Sequence, residues 1–98
     1  MMSDDIPQRL AEFRKSIDNL DASLIYLLAE RFHLTEQVGE FKKTRDLPPS
    51  DPNREQKQIA RLRQLAEDSN LDPDFAERVI RFIMKEVVQN HERIRSRK

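Results

Sequence analysis

An arginine interrupts the most regular apolar pattern in this chain. Leu10, Phe13, Ile17, Leu20, Leu24, Leu27, Leu34, Val38 and Phe41 recur at alternating three- and four-residue intervals, with one vacancy between Leu27 and Leu34, and Arg31 fills it. A guanidinium on a packing seam loses its water, and an unpaired buried charge costs several kcal/mol, so an anion must meet it. Two sources are open: a Glu or Asp of a neighbouring helix, or an anionic ligand held in a gap of the helical core. Lys42 lies eleven residues further on, three helical turns to within about 20°, which puts a second cation on the same face. Arg14 lies seventeen residues before Arg31 and is turned about 100° from that face, so it reaches a ligand more readily in a partner chain's pocket. Taken alone, Lys42 and Arg14 also read as solvated surface charges. Taken together, Arg31 and Lys42 line one groove with positive charge, which suits an anionic ligand.

Two other places carry chemistry. Ile80, Met84, Val87, His91 and Ile94 form a second three-and-four stripe. A histidine on such a stripe is either a core residue bonded to backbone or carboxylate, or an N–H donor facing a pocket. The run Asp51-Pro52-Asn53-Arg54-Glu55 sets an acid–base pair in the first turn of a helix, where Glu55 also suits the helix dipole. With no cysteine, two histidines and a single glycine, the chain has no thiol nucleophile, no Cys/His cluster at metal-ligand spacing, no glycine-rich phosphate loop and no nucleophile elbow. Neither a metal nor a cofactor is expected.

The elements that must position these residues follow from composition and punctuation. A chain of 98 residues with 37% apolar and 37% charged residues, one Gly and no Trp points to a single all-α domain over residues 1–98. Eighteen Lys and Arg balance eighteen Asp and Glu, so nothing favours nucleic acid or an anionic membrane surface. The acidic start lacks an apolar leader segment, and no apolar run approaches the roughly 18 residues of a membrane span, so a cytoplasmic location is expected.

A first helix is expected over about 7–44, with Asp4 or Asp5 as cap and Pro7 in the first turn. Leu47-Pro48-Pro49-Ser50 breaks it, giving a loop over 45–51. Asp51-Pro52 starts a second helix, about 52–68, and Asp72-Pro73 a third, about 73–95, followed by a basic tail at 96–98. About 38 residues at 1.5 Å each give a rod near 55 Å, whereas a compact globule of this size has a radius of gyration near 13 Å. Two shorter helices cannot cover so long a stripe, and a two-fold helical dimer is the simplest closed solution.

The ordered segments Arg14-Lys15-Ser16-Ile17-Asp18-Asn19-Leu20-Asp21, Leu27-Leu28-Ala29-Glu30-Arg31, Val38-Gly39-Glu40-Phe41-Lys42 and Asp51-Pro52-Asn53-Arg54-Glu55 resemble the small all-helical, type II chorismate mutases. The resemblance runs from about Leu10 to His91. It implies an intertwined homodimer with two equivalent sites that rearranges chorismate to prephenate without a covalent intermediate. It also implies roles: Arg31 and the Arg14 of the other chain hold the substrate carboxylates, and Lys42 donates to the ether oxygen. Glu55 accepts from the ring hydroxyl with help from the Asp51 region, and Arg54 lines the same pocket.

Two positions depart from the family pattern. Where its best-known members carry a Gln as second donor to the ether oxygen, this chain has His91; where they carry a Ser, it has Val87, whose missing hydroxyl weakens one carboxylate contact. Gln89 takes the donor role instead if the register slips, but it is turned about 160° from the stripe that His91 shares with Met84 and Val87. The catalytic set is then Arg31, Lys42 and His91. A similar pocket also serves isochorismate pyruvate lyases, and a non-catalytic helical dimerisation or regulatory module would use the same charges as ion pairs only.

Overall fold

The computed structural model describes the backbone of residues 2–97 and the side chains of residues 5–97. Three helices account for nearly all of it, α1 Met2–Thr44, α2 Pro52–Asp68 and α3 Pro73–Ser96, and no strand occurs among the described residues. The all-α expectation and the very long first helix are both met.

One boundary differs. Helix α1 begins at Met2, five residues before the expected start, and Pro7 lies inside it rather than in its first turn. Pro7 is the sixth residue of α1, just past the four N–H groups that have no partner in any helix, so it removes one hydrogen bond of the ladder and sets its ring against the carbonyl of the preceding turn. The cap expected at Asp4 or Asp5 is not found, because both residues lie inside α1; the side chain of Asp4, like Lys98 of the tail, is outside the described residues. Ser96, expected in that tail, closes α3, with Arg97 as its C-cap.

The other helix ends are fixed by local chemistry. Asp51 caps α2, its Oδ1 accepting from the Arg54 N–H at 3.2 Å, and Asp72 caps α3 by accepting from the Asp74 N–H at 3.0 Å. Each cap is followed by a proline in the first helical turn, where its fixed φ is already helical. Two ends close alike. After α1, the Leu47 N–H donates to Lys42 O at 2.8 Å and the Asp46 N–H to Lys43 O at 3.3 Å. After α2, Leu71 N–H reaches Ala66 O at 2.8 Å and Asn70 N–H reaches Glu67 O at 3.1 Å. Both are Schellman motifs, and both place the pivotal residue in the left-handed region, Asp46 at φ 54° and Asn70 at φ 58°.

The chain divides into two compact units, one ending at Leu34 and the other starting at Thr35. The first is the N-terminal part of α1, and its apolar stripe is open: Phe13 is 58% exposed, Leu20 69%, Leu24 56% and Leu27 68%. In the second unit α2 and α3 pack together, burying Ile59, Ala66, Ile80, Ile94 and His91. Arg63 of α2 ties the two helices, pairing with Asp74 at 2.9 Å and Glu77 at 2.8 Å, while Arg81 donates back to Glu77 at 2.7 Å one turn along α3. The Arg81 hydrogen bond, aided by Arg63, holds the Glu77 carboxyl below its ordinary value, and the hydrogen bonds to Asp74 and Glu77 push Arg63 upward.

Candidate active site

In the first unit the cation that broke the apolar pattern is still without a counter-charge. Arg31 is half-buried, and its Nη1 is enclosed without a hydrogen-bond partner. Among the described residues no ion pair includes it, so the internal-pair reading finds no acid here. Arg14 is exposed on the same helix.

In the second unit, Lys42 and His91 meet at one atom. The Lys42 Nζ donates to the carbonyl oxygen of Pro49 at 3.3 Å, and the His91 Nδ1 lies 3.3 Å from the same oxygen. The other ring nitrogen of His91, Nε2, lies 2.8 Å from the carbonyl oxygen of Thr35. His91 is 5% exposed, so these main-chain contacts are its polar environment. Lys42 itself is held at two points by the following loop, since its carbonyl accepts from Leu47 N–H and its ammonium donates to Pro49.

The first turn of α2 places the remaining polar residues. Asp51 carries the cap and also accepts the Glu55 N–H on its carbonyl at 3.0 Å, so Arg54 and Glu55 leave the helix start in fixed directions. Asp51 and Arg54 line an open groove of about 660 Å³, shared with Lys57 and Arg61. Glu55, half-buried, lines a different cavity of about 360 Å³ with Arg81, Lys85 and Gln89. Neither cavity is lined by Lys42, Val87 or His91. Val87 is half-buried on α3. Within this unit the structure therefore joins Lys42 to His91 and Asp51 to Arg54, and sets Glu55 beside Gln89.

Three contributors escape a reading of residue types. The Pro49 carbonyl is main chain and leaves no mark in a sequence. Gly39 is a second: a Cβ there would stand 2.8 Å from His91 Cδ2 and 2.9 Å from Ile94 Cδ1, so the glycine makes room for the imidazole. A lone glycine inside a helix was the available signal. Arg95 is the third, donating to Leu47 O at 2.7 Å and pairing with Asp46 at 2.9 Å, which ties the 45–51 loop to α3.

Residues 13–92 match the sequence family Chorismate mutase type II, a span that contains Arg14, Arg31, Lys42, Asp51, Arg54, Glu55, Val87 and His91. The chain belongs to the type II chorismate mutases. It is 33% identical over 78 residues to a chorismate mutase of Methanocaldococcus jannaschii, covering 80% of this chain and 79% of that protein. A T-protein of Enterobacter agglomerans is 40% identical over 77 residues, which is 79% of this chain but 21% of the relative, so the likeness there concerns one segment of a much longer protein. A secreted chorismate mutase of Mycobacterium tuberculosis is 36% identical over 58 residues, 59% of this chain and 29% of that one. For this type II chorismate mutase, no described helix is long and apolar enough to cross a membrane.

Proposed function

We propose that this chain rearranges chorismate to prephenate, working in the cytoplasm as a two-fold dimer with a single domain per chain. The observation that carries the reading is Arg31, whose Nη1 is enclosed with no protein partner, so that a substrate carboxylate is the missing anion. Arg31 and Arg14 of the partner subunit each take one carboxylate. The open stripe of Phe13, Leu20, Leu24 and Leu27 on α1 supports the dimer, since apolar side chains in an unbroken row need covering.

The rearrangement is unimolecular and transfers no proton to or from the protein. Catalysis then reduces to two tasks: holding the flexible substrate in the compact conformer whose ends can join, and stabilising the charge that grows on the ether oxygen as the C–O bond breaks. Charge-assisted hydrogen bonds of roughly 1.5–3 kcal/mol each from the arginines serve the first task. Lys42 serves the second: with one N–H spent on Pro49, its ammonium has two left to donate. Glu55 accepts from the ring hydroxyl, the capping carboxylate of Asp51 fixes the turn from which Glu55 and Arg54 project, and Val87 supplies an apolar wall. His91 stands at the position of a second donor to the ether oxygen, although in this chain both of its nitrogens face carbonyls.

The test is consumption of chorismate by the purified protein, with prephenate as the product. An Arg31→Ala protein that folds but has lost the activity completes it.

A further inference from the structure

We propose that His91 is a positioning residue: it donates from Nδ1 to the Pro49 carbonyl and thereby aims the Lys42 ammonium that shares this oxygen, instead of touching the substrate. The inference rests on reading Lys42 as the donor to the ether oxygen.

Its first support is the hydrogen-bond count at the ring. Both atoms facing the imidazole are carbonyl oxygens, which only accept; a neutral ring carries one N–H and satisfies one of the two contacts, and only a doubly protonated ring satisfies both, so a ring N–H turned to a ligand would be taken from one of these carbonyls. A residue 5% exposed has no other polar face to offer.

The second support is the cradle. Gly39 presents bare backbone to the ring edge, close to the buried tip of Ile94, so a buried imidazole that swung away from this backbone would leave a void.

The third is what the last turns of α3 do to the loop. His91 and Arg95 are four residues apart on one face and together reach Pro49 O, Leu47 O and the Asp46 carboxylate. The same loop grips Lys42 at its carbonyl and at its ammonium. If Pro49 shifts, Nζ loses the contact that sets its direction. A misplacement of about 1 Å at a catalytic donor costs on the order of a hundredfold in rate.

Two replacements of His91 separate this role from direct contact. An Asn amide nitrogen falls near the place of Nδ1 and still reaches Pro49, whereas a Gln amide nitrogen falls near Nε2 and reaches only the Thr35 side. A positioning role predicts that His91→Asn keeps kcat within about threefold and that His91→Gln loses about tenfold or more in kcat, with KM changed less than kcat. The reverse order overturns the proposal, because a substrate donor is replaced by Gln and not by Asn. Wild-type rates in both variants overturn it as well.

Should both variants fail to fold by circular dichroism, the ring ¹⁵N signals of the wild type decide. The proposal requires a protonated Nδ1 at assay pH and ring signals unmoved when a dicarboxylate transition-state mimic is added; an unprotonated Nδ1, or a ligand-shifted Nε2, contradicts it. A wild type that leaves chorismate untouched would instead count against the functional reading, while the Nδ1 signal would still report on the Pro49 contact.

Discussion

Lys42 and His91 share one acceptor, their Nζ and Nδ1 each standing 3.3 Å from the carbonyl oxygen of Pro49. That oxygen lies in the loop closing α1 and is neither charged nor a side chain, yet it links a cation expected to meet the substrate with the buried histidine of α3. An ammonium donating one of its three hydrogens to a fixed carbonyl has only rotation about that bond left to it, which narrows the directions in which the other two point.

Gly39→Ala tests how tightly this arrangement is built. The added methyl meets His91 Cδ2 at 2.8 Å and Ile94 Cδ1 at 2.9 Å; the isoleucine tip can rotate, but the imidazole cannot move without leaving Thr35 or Pro49. Overpacking costs about 1–3 kcal/mol, against a gain of about 1 kcal/mol in helix propensity. Thermal unfolding should show a net loss of about 1 kcal/mol, together with reduced turnover.

Arg31→Leu should separate stability from activity. Replacing a partly buried, unpaired guanidinium by the residue its seam position favours leaves stability unchanged or raises it by about 1 kcal/mol or more, while turnover falls at least about a hundredfold. A melting curve and a steady-state rate on the same sample report both.

Mixing inactive variants tests whether Arg14 is donated across the dimer. In a heterodimer of Arg14→Ala and Arg31→Ala chains, one of the two sites combines an intact Arg31 with an intact Arg14 from the other chain. An equal, randomised mixture should then recover about a quarter of the wild-type activity. If each site draws both arginines from one chain, no activity returns.

Acid should loosen the tie between α2 and α3. Glu77 titrates below its ordinary value in the folded chain, chiefly through the Arg81 hydrogen bond, so the stability it lends is fully present above the ordinary value of 4.5 and is lost as pH falls through the lower, folded one. Glu77→Gln should therefore lower the melting temperature at neutral pH, and the gap from wild type should close below about pH 4.

Local chemistry was what the sequence made legible. The starts of α2 and α3 are written in Asp51-Pro52 and Asp72-Pro73, because a capping carboxylate and a preset φ act within one turn. The gap at Arg31 was visible because a charge on an apolar seam violates a long period. The start of α1 was not: Pro7 is welcome in a first turn, yet the helix extends one turn before it in spite of the lost hydrogen bond and the crowded carbonyl. Nor was the setting of His91 legible. Its stripe position was right, but the direction of its nitrogens depends on the carbonyls of Thr35 and Pro49, and a carbonyl belongs to every residue alike.

The most direct measurement is the rate at which chorismate disappears when the purified chain is added at micromolar concentration, followed by loss of its ultraviolet absorbance with prephenate identified as the product. The account predicts saturable acceleration in the wild type and its near-abolition in a folded Arg31→Ala protein. Chorismate that decays no faster than in buffer, with the chain folded and dimeric, would contradict it.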